Sequence, residues 1–339
     1  MTDRRKIFIF LIAFCFLKSL AQDLHFSQFW MQPLYLNAAN AGMFDGDYRV
    51  GGMYRNQWRA VPVPYKTTSF MGDMRIKNIF GSRNHLGIGL MYNNDVSGDS
   101  HYTINQAYMP ISFIKNFAND SNLTVSFGLS PGVSNVAFQT GQLTYDSQFN
   151  GDGFSSSLPS GENYPTLTKT YFDLGGGLVI QYKLKGLGLI KAGTSFSHIN
   201  QPTLSFYNNN SVKLYGKSTS FIGLTLPIPQ SPFLVHLDGM YAQQGPFHET
   251  ILAARLSYLL NQKDNIRLYA GLSSRLADAG IFLVGMDYKK YQFGFAYDLN
   301  YSKFQAATNK RGAWEVSILY IINKIPVFMP KRRTCPTYM

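Results

Sequence analysis

Histidine is the residue type in this chain with the widest choice of chemistry, because it can ligate a metal or act as a general base. A common zinc motif places two histidines four residues apart on one helical face, with a further ligand elsewhere. The histidines of this chain show neither that pair nor another metal-ligand spacing. We therefore predict no metal site. The six histidines are His25, His85, His101, His198, His236 and His248.

Two short stretches come near to ligand-binding loops without completing them. The glycine-rich DLGGGL at 173–178 lacks the strand-turn-helix context in which a glycine loop cradles a phosphate. The stretch 148–153 faintly resembles a calcium loop, but it lacks the leading aspartate and has Pro159 where the closing glutamate belongs. The sequence therefore predicts no cofactor.

A serine and a histidine that are distant in sequence can meet in a folded chain and act as nucleophile and base. Nothing in this sequence nominates a particular trio of such residues. We also expect no nucleophile elbow of the G-x-S-x-G type. The prediction is a protein without catalytic residues.

The first 21 residues have the pattern of a secretory signal peptide. A basic segment at 4–6 precedes the apolar run 7–17, and 19–21 supplies a small-x-small cleavage site. This apolar run is too short to cross a bilayer, for which about 20 residues are needed. We therefore expect an exported protein whose mature part begins at Gln22.

Charge and cysteine content narrow the class of exported protein. The formal charge of +12 falls to +9 without residues 1–21, which hold four basic residues and one acidic one. The basic residues are scattered apart from the run 331–333, so no nucleic-acid partner is predicted. Cys335 is the one cysteine of the predicted mature chain, which excludes a scaffold built on internal disulfides.

The low charge and high aromatic content are unusual for a water-soluble domain. Charged residues make up 15% of the chain, against roughly a quarter in soluble domains, and aromatic residues also make up 15%. The predicted mature chain has no run of 18 apolar residues, so no membrane-spanning helix is expected. The other structure that satisfies every backbone hydrogen bond inside a bilayer is a closed β-barrel.

Many segments alternate apolar side chains with polar or small ones, as the strands of a membrane barrel do. The stretches 123–130, 251–260 and 266–273 are examples. The pattern predicts an all-β fold, a transmembrane antiparallel β-barrel of about 14 strands. The predicted strands lie near 47–57, 65–75, 86–93, 102–114, 123–136, 170–183, 190–198, 217–226, 233–242, 250–260, 266–274, 280–288, 291–297 and 313–320.

The connections between predicted strands alternate in length. Long polar connections follow odd-numbered strands, at 137–169, 199–216 and 298–312. Short ones follow even-numbered strands, with 76–85 as an exception. Outer-membrane barrels have long loops outside and short turns in the periplasm, so we expect a periplasmic N-terminus. A soluble β-sandwich or jelly roll would show similar alternation but does not require this asymmetry.

Blocks near both ends of the chain carry a resemblance to a known family. They are QDLHFSQFW at 22–30, PLYLNAANAG at 33–42, DYRVGGMYRNQW at 47–58, GAWEVSILY at 312–320 and CPTY at 335–338. They resemble the PorP/SprF family of the type IX secretion and gliding-motility system of Bacteroidetes. One departure is Ala38, where the family often has proline. The candidate interaction residues in these blocks are His25, Phe26, Ser27, Gln28, Tyr35, Asn37, Gly42, Arg49, Tyr54, Arg55, Asn56, Gln57, Trp58, Cys335 and Pro336.

The resemblance implies a binding and assembly role in the bacterial outer membrane. The implied partners are a secreted adhesin-like protein with a type IX C-terminal signal, periplasmic or outer-membrane components of the system, and the lipid bilayer. The alternative is a passive outer-membrane channel for small hydrophobic solutes, with the N-terminal segment as a hatch. An outer-membrane hydrolase is a third interpretation.

Two arginines of the first predicted strand connect it to the segment that precedes it. Arg49 and Arg55 are expected to face the lumen, because a lipid-facing arginine costs about 2–4 kcal/mol at the midplane. We expect them to contact the polar leader through Asp23, His25, Gln28 or Asn37. The predicted organisation is a signal peptide at 1–21, a periplasmic leader or plug at 22–46, a barrel at 47–320 and a periplasmic tail at 321–339.

Overall fold

The described chain forms one antiparallel sheet that closes on itself. A computed structural model describes residues 23–58, 64–79, 81–117, 122–141, 143–207, 209, 211–302 and 308–323. The predicted signal peptide, Gln22, and the predicted tail beyond residue 323 with Cys335 and Pro336 lie outside these residues. None of the helical segments in the described ranges could span a lipid bilayer.

The strands follow one another around the ring in sequence order, and β1 pairs with β15 to close it. The last strand runs two residues beyond its predicted end. The strands are β1 (Tyr48–Gln57), β2 (Tyr65–Lys77), β3 (Asn84–Ser97), β4 (Tyr102–Tyr108), β5 (Ile111–Phe117), β6 (Leu123–Ala137), β7 (Thr168–Leu184), β8 (Gly188–Ser197), β9 (Lys217–Pro227), β10 (Phe233–Gln244), β11 (Phe247–Asn261), β12 (Ile266–Arg275), β13 (Ala279–Tyr288), β14 (Tyr291–Asn300) and β15 (Arg311–Ile322).

Fifteen segments make fourteen barrel strands because β4 and β5 are two halves of one strand. Both halves pair with β3 on one side and with β6 on the other. The single strand predicted at 102–114 is therefore interrupted, at Met109 and Pro110. Pro110 has no N–H to donate to a neighbouring strand, and its carbonyl accepts from the Gly89 N–H at 2.8 Å. The predicted fourteen-stranded barrel is confirmed.

The alternation along the strands separates an apolar outer face from a polar and small inner face. On β6 the side chains of Phe127 and Leu129 are 59% and 62% exposed, whereas Ser126 and Ser130 are buried. The same arrangement recurs on β11 and β12. An exposed apolar surface that runs round the whole barrel is what a lipid-facing wall requires.

The three longest connections lie at one end of the barrel, and every connection at the other end is short. Residues 138–167, 198–216 and 301–310 connect strands at the end that we call the long-loop mouth. The opposite end is the short-turn mouth. The connection predicted at 76–85, which was longer than the other short ones, is only 78–83 in the structure, because β2 and β3 are longer than predicted.

Residues 23–47 fill the lumen, and we call this segment the plug. It contains a 3-10 turn at Phe29–Met31, the short helix α1 (Pro33–Leu36) and a second 3-10 turn at Ala38–Asn40. A further 3-10 turn, Asp146–Gln148, lies in a long loop. The plug meets β1 at the short-turn mouth, where the Asp47 N–H donates to the Ile322 carbonyl at 3.0 Å.

The apolar core lies between the plug and the wall. One cluster includes Phe29 and Leu36 of the plug with wall side chains such as Val179 and Ile251. A second cluster includes Phe26, Met31 and Leu34 of the plug with Met53, Met71, Met91 and Leu319 of the wall. Trp30 packs against both clusters and a third one on the wall. Burial of each such side chain stabilises the docked plug by about 1.5–3 kcal/mol.

Glycines on the inner wall let the plug backbone come close, and Gly128→Val should displace it. A Cβ at Gly128 would lie 2.3 Å from the Ala39 nitrogen, which is backbone and cannot move alone. We expect faster proteolysis of the plug in a barrel that still shows heat-modifiable migration on a denaturing gel. The matched control is Gly280→Val on β13, where a Cβ would meet nothing within 4 Å. Equal plug protection in both variants would contradict the docking described here.

Candidate functional site

Arg55 and Glu315 face each other across the seam where the barrel closes. They are directly opposite in the β1–β15 register, and the Arg55 Nη1 lies 2.6 Å from the Glu315 Oε1. Their exposures are 1% and 0%. The Arg55 Nη2 also donates to the Asp298 Oδ2 at 3.1 Å. Charges buried this deeply are tolerated only when they are paired and hydrogen-bonded.

The seam network holds the plug by its backbone and by one hydroxyl. The Glu315 carboxylate accepts the backbone N–H of Ser27 at 2.6 Å and of Gln28 at 2.9 Å. The Ser27 Oγ donates to the Asp298 Oδ1 at 2.8 Å and accepts from Arg55 and Arg275, each at 2.8 Å. One hydroxyl thus uses its single proton and two lone pairs. Two guanidinium groups and two carboxylates meet there, and Arg275 also pairs with Glu249 at 2.8 Å and with Asp278 at 3.1 Å.

His25 lies beside this network as a neutral ring. Burial, together with Arg275, Arg55 and Lys217, holds the pKa of His25 well below its usual 6.5. Its Nε2 lies 3.4 Å from the Arg55 Nη2. Because arginine only donates, the His25 Nε2 is the acceptor in this contact.

A second ion pair holds the plug near the short-turn mouth. The Arg49 Nε and Nη2 bind the two oxygens of Asp73 at 2.9 and 2.8 Å, a bidentate geometry. The Arg49 Nη2 also donates to the Asn40 carbonyl at 3.1 Å. The Asp73 Oδ2 accepts the Gly42 N–H at 2.8 Å. Gly42 has a φ of +68°, a left-handed conformation that favours glycine.

Between the two ion networks, wall side chains satisfy the plug backbone. Three wall serines on different strands donate to plug carbonyls, which removes the penalty of burying bare backbone oxygens. The pairs are Ser112 to Ala41, Ser126 to Ala39 and Ser195 to Leu36. Conversely, the Asn37 Nδ2 donates to the wall carbonyls of Leu178 and Thr194 at 3.1 and 2.8 Å.

The end of the plug nearest the long-loop mouth is held by His198, which follows β8. The His198 Nε2 lies 2.9 Å from the Asp23 Oδ2, and its Nδ1 lies 2.7 Å from the Asp173 Oδ2. The Tyr108 hydroxyl donates to the same Asp173 oxygen at 2.5 Å. Burial opposes the charged ring, but Asp23 and Asp173 outweigh it and raise the pKa of His198 to about 9.

The structure brings both predicted arginines into contact with the plug. Of the four partners expected for them, only His25 reaches either arginine among the described residues. Asn37 binds the wall of β7 and β8, and the Gln28 Oε1 accepts from Ser317 at 3.1 Å. Asp23 pairs with His198, as described above, and also lies 3.6 Å from Lys217.

The other candidate residues lie in the plug or in and just after β1. Phe26 and Tyr35 pack edge to face within the plug, with ring centroids 5.4 Å apart. The ring of Tyr54 packs against that of Trp314 on the neighbouring strand at 5.2 Å. Asn56 and Gln57 end β1; Asn56 is buried, and Gln57 accepts from Arg55 at 3.2 Å. Trp58 follows β1, and its ring lies 4.9 Å from that of Tyr65.

The acidic partners in these networks were not identified from the sequence. Asp73, Asp298 and Glu315 each occupy an inward position in a strand whose neighbouring residues include apolar ones. A charged residue at an inward position of an alternating strand is the signal that would have nominated them. Strand register across the barrel, which sequence alone does not give, decides which arginine each one meets.

The letters of the nucleophile-elbow motif do occur, as GLSPG at 128–132, although we expected no such elbow. They lie inside β6 rather than at a turn between a strand and a helix. Both ring nitrogens of the buried His198 face carboxylates and not a hydroxyl. The geometry therefore gives this motif none of the context that a hydrolase requires.

Comparison with known proteins gives one family and one fold. A family model described as type IX secretion system membrane protein PorP/SprF matches residues 18–320. No curated protein matches the chain.

Several solved structures are similar to the chain in fold, at low sequence identity. The Ralstonia pickettii toluene transporter TbuX is 14% identical with a TM-score of 0.51, covering 85% of this chain and 92% of that one. A Pseudomonas aeruginosa FadL homologue is 9% identical with a TM-score of 0.50, covering 84% and 92%. A TodX monoaromatic hydrocarbon channel mutant is 12% identical with a TM-score of 0.50, covering 86% and 94%.

Arg55→Ala should release the plug. It leaves Glu315 and Asp298 buried without their main cation, and breaking a buried pair in this way costs about 3–5 kcal/mol. We expect rapid cleavage of residues 23–47 by added protease and a lower denaturation midpoint. Lys77→Ala is the control, because its 2.8 Å pair with Asp47 is solvent-exposed and such pairs contribute about 0–1 kcal/mol. Unchanged protection in Arg55→Ala would show that the plug is held elsewhere.

The His198 contact should weaken at alkaline pH. The pKa of His198 is raised from 6.5 to about 9, so its stabilisation is complete below pH 6.5 and is lost as the pH rises through 9. The pKa of Asp23 is held below its usual 3.8, despite burial, by His198 and Lys217, so its contribution disappears only in acid. We expect protease access near Asp23 to increase between pH 7 and 10. In His198→Asn, which cannot titrate, that increase should vanish; a persisting increase would assign it to another group.

Proposed function

The chain belongs to the PorP/SprF family of type IX secretion system membrane proteins, and on that premise we propose that it is an outer-membrane barrel supporting the secretion or surface attachment of an adhesin-like partner. The observation that carries the proposal, beyond the family, is a lumen occupied by the chain's own N-terminal plug. The plug is held at three levels by buried ionic contacts to the wall. A barrel filled in this way suits binding and assembly better than free passage of solutes.

The long-loop mouth offers an ordered surface for an exported partner. The aromatic rings of Phe138, Tyr164, Phe206 and Tyr207 pack against one another and join two long loops. Large apolar side chains on or beside these loops are exposed to solvent. Such side chains, aromatic ones above all, contribute much of the binding energy of protein interfaces. Among them are Phe149, 61% exposed, and Phe154, 50% exposed.

The loop asymmetry supports an orientation for the barrel. Long loops of outer-membrane barrels face the exterior and short turns face the periplasm. In that orientation, the long-loop mouth meets the adhesin-like partner. The short-turn mouth, where the plug enters β1 and β15 ends, meets periplasmic components of the secretion system.

The alternative is a passive channel for small hydrophobic solutes. The barrel wall has the fold of proteins described as hydrocarbon channels and transporters. Passage through this lumen would require the plug to leave, which separates buried charges at Arg49, Arg55 and His198 from their partners. Breaking even one such pair costs several kcal/mol.

Deletion of the coding sequence should remove one or a few large adhesin-like proteins from the cell surface and leave them inside the cell. Quantitative proteomics of surface-exposed and cellular fractions measures this directly. Reintroduction of the wild-type chain should restore the surface proteins. A Phe149→Ser, Phe154→Ser chain should insert normally and restore them less well.

The channel alternative has its own measurement. Purified protein in liposomes should not accelerate the entry of an aromatic hydrocarbon above the rate of empty vesicles. An unchanged surface proteome after deletion, together with faster hydrocarbon entry, would replace the secretion role with the channel role.

A further inference from the structure

A chamber of about 560 Å³ lies at the short-turn mouth beneath the plug. Met43 and Phe44 of the plug line it from above, and strands β2, β3 and β5 to β8 supply its walls. Its volume is in the range of protein ligand sites, about 300–1,000 Å³. Its lining includes no member of the seam network, of the Arg49–Asp73 pair or of the His198 contacts.

The charge of the chamber is predominantly positive. Arg75, Lys183 and Lys191 line it, and Asp45 is the one carboxylate among its lining residues in the described chain. Arg75 is already engaged, because its guanidinium donates to the carbonyls of Gly42 and Phe44. The two lysines are therefore the cations that remain for a ligand.

Lys191 is the deeper of the two lysines. It is partly buried on β8. Within the described chain, no carboxylate oxygen lies within 4.0 Å of its Nζ, and no side chain or carbonyl hydrogen-bonds to it. A partly buried ammonium group without a protein partner is less fully hydrated than one at the surface, and an incoming anion would pair with it. Lys183 is exposed and lies nearer the turn, where it would meet a ligand first.

A row of neutral polar groups continues from Lys191 around the wall. Lys191 is opposite Gln181 in the β7–β8 register, and Gln181 is opposite Thr124 in the β6–β7 register. The Thr124 hydroxyl donates to the Asn116 Oδ1 at 2.8 Å. Ile114 and Leu189 add apolar surface to the same chamber. A ligand for this lining carries both hydrogen-bonding groups and apolar groups along its length.

We propose that this chamber binds a carboxylate-bearing peptide segment of a partner protein that enters through the short-turn mouth. The mixed lining of amide, hydroxyl and apolar groups fits a peptide, which carries hydrogen-bonding and apolar groups along its length, better than a compact phosphate, which has no apolar part. One deep lysine as a point charge matches one acidic side chain. The identity of the partner as a periplasmic component rests on the proposed function; the binding chemistry does not.

The test measures peptide binding to the purified full chain in detergent by fluorescence anisotropy. The probe is a short labelled glutamate-rich peptide, compared with the same peptide carrying glutamine in place of glutamate. We expect the wild-type chain to prefer the glutamate peptide, with an affinity that falls as salt is raised. Lys191→Gln should weaken binding about tenfold, equivalent to about 1.4 kcal/mol. Lys183→Gln, an exposed change that spares folding, should weaken it by a smaller factor.

Lys263→Gln is the matched control, since it removes the same charge from an exposed turn at the same mouth, outside the chamber. Equal affinity for the two peptides, or equal losses in Lys191→Gln and Lys263→Gln, would overturn the proposal. Inorganic phosphate that displaces the peptide at equal concentration would assign the chamber to small anions and overturn the peptide assignment. Because binding is measured without secretion, an unchanged surface proteome in the deletion strain would reject the secretion role and leave the binding result standing.

Discussion

The Glu315 carboxylate is the group on which the arrangement of this molecule depends. It lies on the last strand, opposite Arg55 of the first strand, so it belongs to the seam that closes the barrel. It also accepts two backbone N–H groups of the plug. A fully buried carboxylate is not hydrated, so each of these partners is needed to offset the cost of burying its charge. One side chain thus contributes both to closing the barrel wall and to positioning the plug.

Similar polar contacts between plug and wall recur along the lumen. Plug carbonyls accept hydrogen bonds from wall serines, and plug N–H groups donate to wall carboxylates. The inward Arg49 donates to a plug carbonyl and to a wall carboxylate. Apolar clusters add to these contacts, and Trp30 packs against all three of them. The polar contacts then fix which residue of the plug lies at which height, because a shift of the segment along the lumen would leave several buried groups without partners at once.

The sequence was informative about the wall and about which side chains face inward. Alternation identified the strands, and the cost of a lipid-facing arginine assigned Arg49 and Arg55 to the lumen. The interruption at Pro110 was missed because alternation continues on both sides of it. The position of the plug inside the barrel could not be derived, since it depends on contacts such as Ser27 to Glu315, which are 288 residues apart. His198 gave no sequence signal, because its role comes from two aspartates on different segments.

The direction of the plug has a consequence for how the molecule is assembled. The plug runs down the lumen from Asp23, near the long-loop mouth, to Asp47, and the chain then turns back up the wall as β1. A segment held at both ends inside a ring cannot easily be threaded into it once the ring is closed. The geometry favours an order of assembly in which the strands gather around the plug and β15 pairs with β1 last. Glu315 then bonds both to Arg55 of β1 and to the plug backbone. The N-terminal segment is then the core around which the strands of the barrel assemble.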